Sequence, residues 1–194
     1  MAINLLEMVQ VNLGYPPLLK IDTTTDEVFK NDTTAKEDTF SQAAIPAVLA
    51  AMYQYAESDK GATDILNSSE KTDWVKQIFD ENSLAVLDTI ANYADLSKED
   101  VMKQMNTIAH EAVKITKENL ATDAGIKEVK NFYKSQINTI LLYLLPTLHM
   151  GTFLQNNTLD DDTNKMEGPI SSLMNSIGNA FSASTTQDEV NNKL

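Results

Sequence analysis

The chain has 194 residues, with 15 basic and 28 acidic side chains and a formal net charge of −13. It contains no cysteine, and every basic residue is a lysine. A disulfide scaffold is therefore excluded. Nucleic acid and anionic membrane surfaces are disfavoured as partners, because both reward neutralised phosphates and the bidentate grip of arginine.

A chain of this length buries roughly 70% of the surface it exposes when unfolded, so it needs no staple. Without cysteine, a reducing, cytoplasmic setting is expected. The acidity is uneven. Residues 21–100 hold 17 acids and 6 Lys, residues 101–194 hold 10 acids and 8 Lys, and residues 1–20 are neutral. The first half thus carries an anionic skin, which serves solubility before it serves any partner.

Residues 2–11 read as a short apolar helix. With no Lys ahead of its apolar run and Glu7 inside it, this start is not expected to be a signal peptide. Gly14, Pro16 and Pro17 break the chain. Thr24–Glu27 has capping-box spacing and predicts a short helix around 25–31. Leu18–Ile21 is the single short strand candidate and carries no strand assignment. Thr39–Gln42 offers a second box, after which Phe40, Ala44, Ala47, Ala51 and Tyr55 form one helical stripe. Pro46 either sits in the first turn of a helix starting near Ala44 or kinks a longer one.

Ser58-Asp59 caps a helix through Leu66, and Asn67–Glu70 opens the next, with Trp74/Ile78 and Val75/Phe79 as i,i+4 pairs. Leu84, Leu87, Ile90 and Ala94 mark another. Ser97 starts the clearest helix, with Val101, Met105, Ile108, Ala112 and Ile115 in register. A further helix runs from about Ala124 to Leu145, bearing Ile126, Val129, Tyr133, Ile140 and Leu144, and Pro146 ends or kinks it. The longest apolar stretch, Ile137–Leu154, is broken by polar residues and proline, so it reads as a buried core helix and not as a span. Residues 155–168 form a polar loop, and Pro169 starts a last amphipathic helix. Ile45–Leu49 and Leu145–His149 read alike, as in a duplicated helical hairpin.

Candidate chemistry is sparse. His110 and His149 have no second ligand at metal spacing, and His110 and Glu111 point about 100° apart on a helix. Asp160, Asp162 and Asn164 imitate the first three ligand positions of a calcium loop. That loop then needs Gly and a terminal Glu, where this chain has Lys165 and Ser171. They are the metal candidates, and a solvated acidic turn is the better reading. There is no Gly-rich phosphate loop, no nucleophile elbow and no zinc-protease motif. Three glycosylation sequons, at Asn31, Asn67 and Asn156, stand without a secretion signal. Met52, Met102, Met105, Met150, Met166 and Met174 lie on apolar stripes, as core packing or as an adaptable interface.

The segment Phe40-Ser-Gln-Ala-Ala-Ile-Pro-Ala-Val-Leu-Ala-Ala-Met52, continued by Lys60-Gly-Ala-Thr-Asp-Ile-Leu66, resembles the YidB-like bacterial domains of unknown function. Ile78-Phe79, Ile90–Ser97, Ile108–Val113, Leu144–Leu148, the acidic residues 160–162 and Leu173–Ile177 extend the resemblance across most of residues 40–181. This chain has Asn, Thr and Lys where those domains are Gly-rich. The resemblance implies a helical, cytoplasmic bacterial protein and transfers no catalytic residue.

The sequence therefore predicts an all-α bundle of seven to nine helices without significant sheet. Residues 1–181 form one domain, with pseudo-repeat lobes 1–95 and 96–181, and residues 182–194 form a polar, flexible tail. The expected function is non-enzymatic: protein–protein interaction or self-assembly, with itself or another protein as partner and no cofactor. The expected interface is the last helix, through Ile170, Leu173, Met174, Ile177 and Phe181. The alternatives are a carrier of an apolar molecule or lipid, with a cavity lined by Ile137–Leu148, Met102 and Met105, and a carboxylate- or metal-dependent enzyme.

Overall fold

The structure, a computed structural model, describes residues 3–21 and 36–154. These all fall in one unit, Met1–Asp160, while a second unit spans Asp161–Leu194. The calcium-like residues Asp160, Asp162 and Asn164, the interface candidates Ile170, Leu173, Met174, Ile177 and Phe181, and the helix expected at 25–31 lie outside the described residues.

Among the described residues the fold is all-α. The helices are α1 (Leu5–Asn12), α2 (Lys36–Ala56), α3 (Asp59–Asn67), α4 (Trp74–Phe79), α5 (Ser83–Ala94), α6 (Lys98–Asn119), α7 (Ile126–Leu141) and a closing turn, α8 (Met150–Phe153). Three-residue 3-10 turns at Asp80–Asn82 and Pro146–Leu148 join α4 to α5 and lead into α8. No helix among the described residues is long and apolar enough to cross a membrane.

The organising element is α2. Residues 39–52 contain no charge, and every residue from Phe40 to Met52 is buried. A helix that is apolar on all sides belongs inside a bundle, and α2 packs against α1, α3, α4, α5, α6 and α7. Ala43, Ala44, Ala47, Ala50 and Ala51 are fully buried. Their small side chains let neighbouring helices approach closely, since interaxial distance follows the side chains at the contact. The stripe read from sequence is one face of a helix that buries the others too.

α2 also corrects the second capping box. The helix is already formed at Lys36, so Thr39 lies within it and Pro46 is interior, where it cannot donate to the Gln42 carbonyl. The Gln42 side chain is used elsewhere. Its Oε1 accepts from the Leu19 N–H at 2.7 Å, and its Nε2 donates to the Leu19 carbonyl at 2.9 Å. A second buried glutamine, Gln136 of α7, accepts from the Leu5 N–H at 3.0 Å. Two buried amides thus satisfy backbone groups of the N-terminal segment, which otherwise would be costly to bury. The Leu18–Ile21 segment is held this way, with Ile21 N–H donating to the Leu142 carbonyl at 2.9 Å, and forms no ladder. Gly14, at φ +73°, makes the reversal between α1 and this segment.

α6 follows its prediction. Ser97 Oγ accepts from the Asp100 N–H at 3.1 Å, and Val101, Met105, Ile108, Ala112 and Ile115 are all buried. From α6, Asn106 reaches the start of α4. Its Oδ1 accepts from the Val75 N–H at 3.2 Å, while its Nδ2 donates to Asp73 Oδ1 at 3.3 Å. Asp73, not Asn67, is the cap of α4, because its carboxylate accepts from the Lys76 N–H at 3.4 Å.

α7 stops at Leu141, short of the expected Leu145. Leu145 is extended, as a residue before proline prefers, and Pro146 then opens the 3-10 turn. The Ile137–Leu154 stretch is therefore a broken run and not one core helix, although Ile140, Leu144, Leu145, Leu148, Met150 and Leu154 are all buried. The two proline segments that read alike in sequence adopt different local structures, one mid-helix and one at a turn.

Tyr133 of α7 is fully buried, with its hydroxyl 3.2 Å from Thr116 Oγ1, which lies 2.7 Å from the Ala112 carbonyl. Burial drives the phenol's pKa well above its ordinary 10.0. A raised folded value favours the protonated form, so this stabilisation is complete below the unfolded pKa of about 10 and is lost above it. Tyr133→Phe is expected to cost about 1 kcal/mol at neutral pH. It is also expected to flatten the decline in stability between pH 9 and 11, followed by urea unfolding. An unchanged alkaline decline would contradict this account of the phenol.

Candidate functional site

A cluster of polar and charged side chains forms where the end of α2 turns into α3 and faces α4. Ser58 makes the corner. Its Oγ donates to the Tyr55 carbonyl at 3.0 Å and accepts from the Gly61 N–H at 2.9 Å. Gly61 is required by close approach, because a Cβ there would lie 1.9 Å from the Tyr55 carbonyl oxygen.

The corner fixes Tyr55 above the first turn of α3. The Tyr55 hydroxyl donates to Asp64 Oδ2, and Lys60 Nζ bridges the same carboxylate and the phenol oxygen, the latter at 3.1 Å. Gln77 Oε1 of α4 lies 3.2 Å from the phenol oxygen. Lys60 and then Tyr55 hold the Asp64 carboxyl below the usual range. Hydrogen bonds to Asp64 and Tyr55 raise the Lys60 ammonium. Burial, followed by the Asp64 hydrogen bond, raises the Tyr55 phenol. Each shift favours the ordinary charge state of its group: carboxylate, ammonium and phenol. General acid–base work needs a pKa near the working pH, and this cluster moves its groups away from it.

Two clefts flank Gln77. One, of about 180 Å³, lies against Asp64, Ser68, Ser69 and Thr72 and is polar throughout. The other, of about 290 Å³, opens between Tyr55, the end of α4, the Asp80–Asn82 turn and Phe153. Its apolar walls are Ile78, Phe79, Phe153 and Leu154, and its charged lining residues are Asp80 and Glu81. Asn82 Nδ2 donates to the Phe153 carbonyl at 2.9 Å and ties α8 to the turn.

Asp80 itself is strained. It ends α4 at φ 47° and ψ −124°, a region that side chains rarely adopt. Such a residue costs about 1–3 kcal/mol, and glycine there relieves it against a loss of unfolded-state order. Asp80→Gly is therefore expected to stabilise the fold by about 1 kcal/mol, read as a higher urea midpoint at unchanged slope. A destabilised variant would show that the Asp80 side chain contributes more than its backbone costs.

The histidines fall outside this cluster. His149 is exposed at a left-handed position preceding α8, with φ 47°. His110 is half-buried, its ring 6.4 Å from that of Trp74 at 74°. Trp74 is fully buried, and its Nε1 has no hydrogen-bond acceptor among the described residues. Among the described residues, no group of three or more His, Asp or Glu side chains is arranged to hold a metal ion. Met52, Met105 and Met150 are buried and Met102 packs beside the core, while Met166 and Met174 lie outside the described residues.

The sequence reading did not single out Lys60, Asp64, Gln77, Asp80 or Glu81. Lys60 and Asp64 carry a visible signal in their i,i+4 spacing. Asp80 and Glu81 carry none, because only the turn between α4 and α5 brings them to the cleft. No protein-family model, curated protein or solved structure matches the chain.

Proposed function

We propose that the protein is a non-enzymatic interaction module of the bacterial cytoplasm, binding another protein or a second copy of itself. The observation that carries this reading is the face around Gln77. It joins an apolar-walled cleft to Leu84, which stands 73% exposed just past the Asp80–Asn82 turn. A lone exposed leucine is ordinary on a protein surface; it is the cleft, with apolar walls and a few polar lining groups, that supports a binding surface. The charge states of Tyr55, Lys60 and Asp64 favour binding over proton transfer. Against the carrier reading, Met105, Ile140, Leu144 and Leu148, which were to line a cavity, pack into the common core. The resemblance to YidB-like domains supplies a helical, bacterial setting and no site residue.

Light scattering from low to high micromolar concentration tests self-association. Affinity capture by the wild type and by Leu84→Glu tests a foreign partner. The expected result is either concentration-dependent mass or a partner that Leu84→Glu loses. A strict monomer whose captures are the same with and without Leu84 would overturn the reading.

A further inference from the structure

We propose that the 290 Å³ cleft is a receptor for a basic side chain of a partner polypeptide, an inference that rests on the interaction-module reading and names its contact chemistry. The cleft has the two halves that such a side chain needs. The half-buried Phe153, backed by the buried Ile78 and Phe79, supplies apolar surface for an aliphatic stem, and Asp80 and Glu81 supply charge for its head. Lysine and arginine bury their methylene stems along apolar surface while the charged end stays wet.

The charge balance favours that occupant. Neither Asp80 nor Glu81 makes a hydrogen bond or ion pair through its carboxylate among the described residues. The nearby lysines are committed to other carboxylates, Lys60 to Asp64 and Lys76 to Asp73, the latter at 3.1 Å. Among the described residues that line the cleft there is no lysine. Residues 21–100, which supply all of its described lining but Phe153 and Leu154, hold 17 acids against 6 Lys. A field of that sign attracts a cation and repels an anionic ligand. The exposed Leu84 lies one helical turn beyond Glu81, so a partner seated on the carboxylates also has an aliphatic contact within reach. That second contact favours a polypeptide over a free amine.

The test is a titration of the full-length, ¹⁵N-labelled chain with a capped heptapeptide bearing one arginine between leucines. The controls are the same peptide with citrulline, which keeps the shape and removes the charge, and the Asp80→Asn/Glu81→Gln variant. Both substituted side chains are solvent-exposed, and an unchanged amide spectrum elsewhere confirms that the variant is folded. The expected result is saturable shifts at the amides of residues 78–84 and 153. Affinity should fall about tenfold for the citrulline peptide and for the variant, equivalent to about 1.4 kcal/mol. Equal binding of citrulline, an unaffected variant, or shifts mapping elsewhere would overturn the assignment. So would spermidine binding as tightly as the peptide. Shifts at these amides on raising protein concentration alone would instead give the cleft to a second copy, which offers only lysine. If the cleft stays silent while Leu84-dependent association persists, the module reading stands and this cleft assignment falls.

Discussion

Gly61→Ala is expected to lower the unfolding free energy by about 3 kcal/mol, near the top of the range for overpacked sites. The reason is local. The added Cβ would meet the Tyr55 carbonyl oxygen at 1.9 Å and its carbon at 2.6 Å, and both are backbone atoms of the preceding helix. A flexible side chain would move aside, but the end of α2 is held by its own helical bonds and by the buried residues behind it. Relief requires α3 to swing away from α2, which separates Ala62 and Ile65 from the core. Ser58→Ala is the internal comparison. It removes the α3 cap without adding an atom to the corner, and is expected to cost about 1 kcal/mol. Urea unfolding of the two variants checks the order. For a chain of this size, 3 kcal/mol corresponds to a Tm lower by about 10 °C. A Gly61→Ala variant as stable as the wild type would show that the corner has room which this geometry denies. A folded variant with altered Tyr55 contacts would carry the damage to the cleft, since Tyr55 lines it.

The fold was legible where local chemistry and tertiary demand coincide. Ser97 followed by Glu99 and Asp100 marks a helix start by both capping and dipole, and α6 begins there. Ser58 works in the same way for α3. Prediction failed where a long-range partner decides. Gln42 looked like half of a capping box, but its amide serves Leu19, 23 residues away. Asn67 looked like the cap of α4, yet Asp73 takes that place with support from Asn106 of α6. Leu84 fits the apolar stripe of α5 by spacing and is nevertheless exposed; it stands in the first turn of the helix, and burial begins at Val86 and Leu87. The cleft was illegible for a related reason. Its acids become a site only through the left-handed turn at Asp80 and through Phe153, which is separated from them by three helices.

The largest departure concerns α2, and it leads to the largest expected effects. The stripe of Phe40, Ala44, Ala47, Ala51 and Tyr55 marks one face of α2 and says nothing of the others. The structure surrounds α2 with six other helices. Four consecutive residues, Ala47, Val48, Leu49 and Ala50, point 100° apart and so sample the whole circumference. All four have zero exposure. A carboxylate on any of them would be buried without a partner, at a cost of about 3–5 kcal/mol. Natural domains hold only about 5–15 kcal/mol in total, so each change removes a large share. The most direct test is urea unfolding of Ala47→Asp, Val48→Asp, Leu49→Asp and Ala50→Asp side by side. The central position of α2 predicts that all four are severely destabilised or unfolded. A single variant among Val48, Leu49 and Ala50 that unfolds at the wild-type midpoint would expose a solvent-facing side of α2 and contradict it.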